Sequence, residues 1–483
     1  MPNKNNHQSI IYLFFLLIFS LALFLVAFFY PSLISLSFVF GSLVFLSLLG
    51  ACFLKIEWVA LAIIILLPAL GGLESHQISI SPFLQIIGIE KAYQQNYQID
   101  FFLLSRIFIF FIAGVEIIKK GFAVFKTPLF FALAFSVILN IPSFLFSEFK
   151  IYGLAYYWFF LVSAFGSYFL GYFIFNTKRG YLKIIFAILF STVIPILVGL
   201  KQIATRDFFM SEDTTLPRLT TVFDHPNKFA SYLFVILGIY LISYLSIKNN
   251  KKSKYPLLKL LPFLVLGLFL LLTFSRTSWI VFAFIICVVI FLKKEFRLPT
   301  IYLGSLLIFL SLFVQKIRER ILGIFVRQYH DTLSGRMETW DMAWFGFKKN
   351  YWFGYGPGSF REVIKVVSGT DVGNFYPHSD AALFLLEGGI IGLISYLIYL
   401  FFALYSAFIS YYKYPKGSEK ILFAKKELTV DFKFLGFIPF LLFLVMLPYS
   451  FAETPALDFI YQVYAWILLG SWLGLVNNKK NNC

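Results

Sequence analysis

His378 stands in Tyr376-Pro377-His378-Ser379-Asp380-Ala381-Ala382-Leu383, followed by Glu387-Gly388-Gly389-Ile390-Ile391-Gly392, where a long polar stretch gives way to an apolar run. An imidazole at the mouth of a helix titrates near neutral pH and can take a proton from an attacking hydroxyl. The same place also suits an ordinary loop-end histidine, and Ser379 or Asp380 fits a helix cap by residue type. Glu387 is a further candidate in this motif. Three arginines have comparable chemical interest. Arg276 lies in Phe274-Ser275-Arg276-Thr277-Ser278-Trp279 between two apolar blocks, Arg336 lies in Gly335-Arg336-Met337-Glu338-Thr339-Trp340, and Arg106 sits inside the apolar run FLLSRIFIF. Guanidinium forks match phosphate oxygens bidentately and stay charged. A positive charge on the outer side runs against the orienting rule and favours anion binding at Arg276, with snorkelling an adequate alternative, and an aromatic belt with a snorkelling arginine accounts equally for Arg336. Arg106 should face the interior of a bundle, with a partner or a polar ligand. His225, in Asp224-His225-Pro226-Asn227-Lys228, reads more readily as a turn or packing residue than as a catalyst.

These residues must be positioned by a membrane protein. Of the 483 residues 60% are hydrophobic and 13% charged, with mean hydropathy +0.82, 64 Phe and 28 Tyr. Soluble domains carry about 25% charged residues. The apolar excess falls in blocks of roughly 18 to 30 residues, the length that crosses about 30 Å of hydrocarbon as helix. Blocks at about 9–30, 32–54, 56–73, 101–118, 127–146, 151–175, 182–200, 229–247, 256–274, 277–292, 299–316, 380–411, 433–451 and 459–476 predict an all-α polytopic bundle of about 12–14 transmembrane helices. The pairs 32–54/56–73 and 256–274/277–292 could instead be re-entrant. The first block is too long for a signal-peptide core and is followed by no small-residue cleavage pattern, so it reads as a retained anchor.

This composition excludes a cytosolic enzyme, a secreted disulfide scaffold and a disordered chain. Cys52 and Cys287 lie in apolar blocks and Cys483 is the last residue, so no disulfide framework or zinc cluster is expected, and no structural metal or cofactor. A net charge of +17 suggests nucleic acid at first sight. Its Lys and Arg, however, gather in short connections on one side, including Lys119, Lys120, Lys126, the run KNNKKSK and the segment 412–433. That is the positive-inside pattern, so both termini are expected in the cytoplasm and no nucleic-acid partner is implied. The segment 412–433 is expected to rest against anionic headgroups.

The opposite side carries the long connections, about 74–100, 201–228 and 317–378, and function is sought in the last of these. From Ser334 onward, Trp340, Trp344 and Phe347 at helical spacing predict a capped amphipathic helix on the outer interface. The run Gly354-Tyr355-Gly356-Pro357-Gly358-Ser359 lacks the GK[ST] ending of a phosphate-binding loop. Four regions result: 1–200, N-terminal spans; 201–316, central spans; 317–378, a large extracytoplasmic loop; 379–483, C-terminal spans. Outside the cytoplasm there are no nucleotide-sugar pools, so a donor must already be carried by a lipid. A lipid-pyrophosphate glycan, an acceptor hydroxyl deprotonated by histidine and arginine-stabilised departure form one consistent set.

DHPNKFASYL at 224–233, FSRTSW at 274–279, the GRMETWDMAW…NYWFGYGPGSF loop and PHSDAALFLLEGGIIG at 377–392 together resemble the O-antigen ligase and O-antigen polymerase superfamily of bacterial membrane glycosyltransferases. The resemblance covers roughly 200–400. It implies a GT-C-like helical bundle, undecaprenyl-pyrophosphate-linked glycan donors and a metal-independent inverting transfer. His378 matches the family's proposed base, and Arg276 and Arg336 match its pyrophosphate-binding arginines. The family often has Asn after that histidine, where this chain has Ser379, which leaves the neighbouring polar role open. The motifs do not separate ligases, polymerases and protein O-oligosaccharyltransferases, so the acceptor is a lipid A core, another glycan or a protein. The expected place is the cytoplasmic (inner) membrane with the active site extracytoplasmic. A transporter or flippase for lipid-linked oligosaccharide is the alternative; it predicts cations near the bilayer midplane and alternating access.

Overall fold

The computed structural model describes residues 56–69, 78–79, 98–99, 101–148, 153–154, 160–211, 214–248, 261–292, 301–302, 304–305, 309, 315, 318, 334–369, 377–423 and 426–481. The predicted spans 9–30 and 32–54, most of 299–316 and the loop segments 80–97 and 319–333 lie outside the described residues.

The chain folds as a helical bundle with a few short strands. Among the described residues five segments are long and apolar enough to cross a membrane: Lys178–Thr205, Pro226–Ser246, Asp380–Lys413, Phe432–Tyr449 and Phe459–Asn478. A sixth is counted if Ile109–Lys126 and Phe130–Phe146, which meet at 92°, form one broken span. Apolar helices too short to cross alone occupy Ile56–Ala69, Val162–Ile174, Leu261–Leu272 and Arg276–Leu292. The fold class agrees with the sequence, and the expected 12–14 crossings are not reached among these residues.

The Pro226–Ser246 and Phe459–Asn478 helices are the bundle's centre, with nearly all their residues buried. Trp466 is fully buried there among Tyr168, Tyr399 and Phe443, and Trp472 against Tyr181 and Tyr414. Close helix contact depends on small residues: a Cβ on Gly171 would lie 2.1 Å from the Ile467 carbonyl oxygen, and one on Gly470 would lie 2.1 Å from that of Tyr168. The rim exposes Phe131, Phe190, Leu197, Phe291 and Phe401, which hydrocarbon solvates and water would not.

The basic segment after the Asp380–Lys413 helix forms a hairpin, Glu419–Phe423 with Lys426–Val430, extended by Ile247–Lys248 into a three-stranded sheet. A Lys178–Glu419 ion pair ties it to the bundle. The basic character of 412–433 does not foretell these strands, since their alternation is short. At the other end, Phe209–Ser211 and Thr214–Arg218 pair antiparallel, with an irregular register between Phe209 and Ser211.

The Asp380–Lys413 helix is broken at Gly389, whose φ of 63° and ψ of −157° no helix contains. From Ile390 to Lys413 the remaining piece is about 36 Å long at 1.5 Å per residue, enough to cross by itself. The glycine-rich turn after the Ser334–Lys349 helix satisfies the backbone groups that the break frees. Tyr355 N donates to Leu386 O (3.1 Å) and Gly356 N to Glu387 O (2.8 Å), while Ile390 N donates to Tyr351 O (2.9 Å) and Ile391 N to Trp352 O (3.4 Å). Irregular backbone inside a helical bundle requires internal partners of this kind. The packing also explains the glycines: a Cβ on Gly354 would meet Glu387 O at 2.5 Å, and one on Gly389 would meet Trp352 O at 2.5 Å.

Candidate active site

The residues at issue gather at the end of the bundle where the Pro226–Ser246, Arg276–Leu292 and Asp380–Lys413 helices begin and the Phe437–Tyr449 helix ends. Glu453 is their centre. Its side chain is 8% exposed, and a carboxylate that buried must be paired and hydrogen-bonded. Arg336 Nη2 donates to Glu453 Oε1 at 3.0 Å, Asn227 Nδ2 donates to the same oxygen at 2.8 Å, and His378 Nδ1 lies 3.2 Å from Oε2. Behind Asn227, Arg218 Nη2 donates to Asn227 Oδ1 at 2.7 Å and Arg218 Nε donates to the Thr273 carbonyl at 2.8 Å. Three chain segments far apart in sequence are thereby fixed to one carboxylate, and the Thr273 turn is joined to them through Arg218.

Local structure aims each group. Ser379 caps the Asp380–Lys413 helix, accepting from Ala382 N at 3.5 Å, so His378 is held just ahead of the first turn. Its φ is +47°, a region costly for a residue with a Cβ and found where the surroundings over-determine it. Trp340 Nε1 donates to the Pro377 carbonyl at 2.9 Å, which couples the Ser334–Lys349 helix, and with it Arg336, to the histidine. Asp380 is fully buried. Its backbone N donates to Ser450 O (3.0 Å), and its Oδ2 accepts from Tyr396 Oη and Ser450 Oγ, each at 2.7 Å. Ala456 N donates to its Oδ1 at 3.4 Å. Asp380 therefore pins the Ser450–Ala456 connection, and with it Glu453, to the segment bearing His378.

Arg276 opens the Arg276–Leu292 helix after a turn closed by its own motif. Ser275 Oγ lies 3.0 Å from Ser278 Oγ, and Trp279 Nε1 donates to Leu270 O at 2.9 Å. The Arg276 and Arg336 guanidinium charges are near enough to repel one another. All four positive-φ residues other than glycine among the described residues, Arg206, Thr221, Phe274 and His378, are at this end.

The structure brings His378, Arg336 and Arg276 into one neighbourhood and places the remaining candidates around it. His225 caps the Pro226–Ser246 helix, its Nδ1 accepting from Asn227 N at 3.1 Å, and packs edge-on against Phe209. Burial, aided by the Arg218 charge, pushes its pKa down to about 4, so it is neutral at physiological pH. Arg106 lies over the Phe459 ring with Cζ 4.9 Å from its centroid. Glu387 is buried in the helix break, where its Oε1 accepts from Phe360 N at 3.0 Å and its carbonyl accepts from Ser143 Oγ at 2.9 Å. It serves the glycine turn and does not join the His378 cluster. A helix forms over Ser334–Lys349, with Phe347 buried and Trp344 half-exposed.

Sequence reasoning overlooked Glu453, Asn227 and Arg218. Glu453 had a signal: it is an acid in a short connection between two apolar runs, in a chain with 24 acidic against 41 basic residues. Asn227 stood unassigned inside a quoted motif, and Arg218 had no distinguishing mark.

Residues 261–397 match the family model described as O-antigen ligase. The matched segment belongs to the O-antigen ligase superfamily. This ligase-family segment holds Arg276, Arg336 and His378, while Arg218, Asn227 and Glu453 reach them from either side of it. A search of curated proteins finds no match to the chain. The apolar helices and the ligase-family segment together mark an integral membrane protein. They support an O-antigen-ligase-like function in cell-surface polysaccharide biosynthesis, of glycosyltransferase type.

Proposed function

We propose that this protein transfers a glycan from a lipid-pyrophosphate carrier, of the undecaprenyl type, to an acceptor hydroxyl on the outer side of the cytoplasmic membrane. The observation that carries the reading is the linkage of His378 and Arg336 through the single buried carboxylate of Glu453. A proton on His378 Nδ1, donated to Glu453, makes Nε2 the basic nitrogen, an orientation role familiar from acid–histidine pairs in hydrolases. Nε2 accepts the proton of the acceptor hydroxyl as its oxygen attacks the anomeric carbon from the face opposite the leaving group. The bond from that carbon to the phosphate oxygen breaks, and its electron pair leaves with the lipid pyrophosphate. Arg276 and Arg336 bind that pyrophosphate and stabilise the charge it gains. One displacement inverts the anomeric configuration and uses no metal. The neighbouring guanidinium charges of Arg276 and Arg336 favour a multivalent anion between them, since it relieves their repulsion.

The test is transfer by purified full-length protein from a synthetic undecaprenyl-pyrophosphate oligosaccharide to lipid A core, glycan or peptide acceptors, read by mass spectrometry. Product with inverted linkage, formed in EDTA and absent with His378→Ala, is expected. Donor binding without modification of any acceptor would overturn the reading and favour a flippase.

A further inference from the structure

We propose a second carbohydrate-recognition site, a subsite for sugar units remote from the reacting bond, in the cleft framed by Trp352, Tyr351, Asn350, Lys349 and Glu148. The cavity is about 380 Å³ and lies beside the helix break, with Phe146, Phe353 and Tyr355 completing its wall. Two of its aromatics are open to a ligand: Tyr351 is 47% and Trp352 63% exposed. Their rings stand nearly perpendicular, at 88° with centroids 5.3 Å apart, so the cleft offers two aromatic faces at a corner. The backbone here is held firmly, because the Tyr351 and Trp352 carbonyls accept from Ile390 N and Ile391 N. A Cβ at Gly356 would run into Ser147, only 2.1 Å from its Oγ, so the turn is packed against the segment that carries Glu148. Such a platform binds without paying much ordering entropy.

The ligand class follows from the mixture. Sugar rings present apolar C–H faces, which cover aromatic rings, and rims of adjacent hydroxyls, which bond to carboxylates and amides two at a time. A simple lipid-facing aromatic belt would not need an exposed carboxylate, an amide and an ammonium set around one concavity. Position agrees: Arg336 and Asn350 bound opposite ends of the Ser334–Lys349 helix, about 20 Å apart at 1.5 Å per residue. A glycan whose pyrophosphate sits at Arg336 would reach the cleft several sugars along its chain. This placement rests on the proposed function; recognition of sugar by the cleft does not.

Two measurements on the full-length protein in nanodiscs separate the claims. The first is calorimetric binding of free oligosaccharides, released by mild acid from the surface polysaccharide of the source bacterium. Trp352→Ala is expected to weaken binding about tenfold, the loss typical of truncating an aromatic anchor, and Glu148→Gln to weaken it as well. Trp352→Phe, which keeps a ring, should restore most of the affinity. The second is transfer kinetics with donors bearing one sugar or many. A KM raised by Trp352→Ala for long donors only identifies the donor glycan as occupant, and a KM raised for the acceptor identifies the acceptor glycan. If Trp352→Ala changes neither affinity nor any KM, or only lowers thermal stability, the subsite is refuted even where transfer proceeds. If wild-type protein transfers nothing but Trp352→Ala still weakens sugar binding, the proposed reaction fails and the subsite stands.

Discussion

His378 Nδ1 lies 3.2 Å from Glu453 Oε2, joining the start of one helix to the connection that precedes the last helix. The other oxygen of the same carboxylate holds Arg336 and Asn227. The proposed base and one of the proposed pyrophosphate-binding cations are therefore held by one group, and disturbing that group is expected to move both.

His378→Ala is expected to reduce glycan transfer by about 10²–10⁴-fold, the usual contribution of a positioned base. The variant should keep wild-type elution and thermal unfolding, because the ring is partly exposed. Glu453→Gln should be more damaging to the fold: it leaves Arg336 without its buried counter-charge, which costs about 3–5 kcal/mol when such a pair is broken. Normal turnover with either change would remove the pair from the mechanism.

Arg276→Lys and Arg336→Lys keep the charge and lose the planar fork. Both should raise KM for the lipid-pyrophosphate donor more than for the acceptor, as measured by steady-state transfer. Equal effects on both substrates would mean that these residues do not discriminate the donor.

Gly389→Ala and Gly354→Ala place a Cβ against carbonyl oxygens at 2.5 Å, in conformations of φ +63° and +62°. Positive φ for a residue with a side chain costs on the order of 1–3 kcal/mol before any clash is counted. Lower melting temperatures in detergent are expected for both, and an unchanged melting temperature would contradict the interlock of turn and broken helix.

His225 links stability to pH. Its pKa falls from 6.5 to about 4 on folding, chiefly through burial and next through Arg218. Between these values the unfolded chain binds the extra proton and the native one does not, so its share of stability is complete above about pH 6.5 and shrinks as pH falls toward 4. His225→Asn keeps a capping acceptor and should flatten that part of the stability–pH curve. A curve identical to wild type would show that His225 is not the group responsible.

Asp380→Ala would strand the hydroxyls of Tyr396 and Ser450 and release the Ser450–Ala456 connection. Activity is expected to fall through kcat with little change in KM, because Glu453 drifts from His378 while the pyrophosphate cations remain. Loss confined to KM would place Asp380 with the substrate instead.

The membrane class and the helical architecture were legible in the chain because a hydrocarbon solvent imposes one simple requirement, long apolar runs whose backbone is satisfied within the helix. His378, Arg276 and Arg336 could be singled out as candidates because they are polar residues at the borders of such runs, and the fold brings them into one neighbourhood. The break at Gly389 was not, although both glycine-rich stretches were visible, since only three-dimensional proximity shows that one supplies hydrogen bonds to the other. Glu387 looked like part of the histidine motif by distance in sequence, yet the break directs it to the glycine turn. Glu453, more than 70 residues after His378, became its partner only when the helices packed. Hydropathy acts residue by residue along the chain and survives without a fold. A buried carboxylate's partners are set by which helix ends meet, and that depends on close packing across the whole bundle.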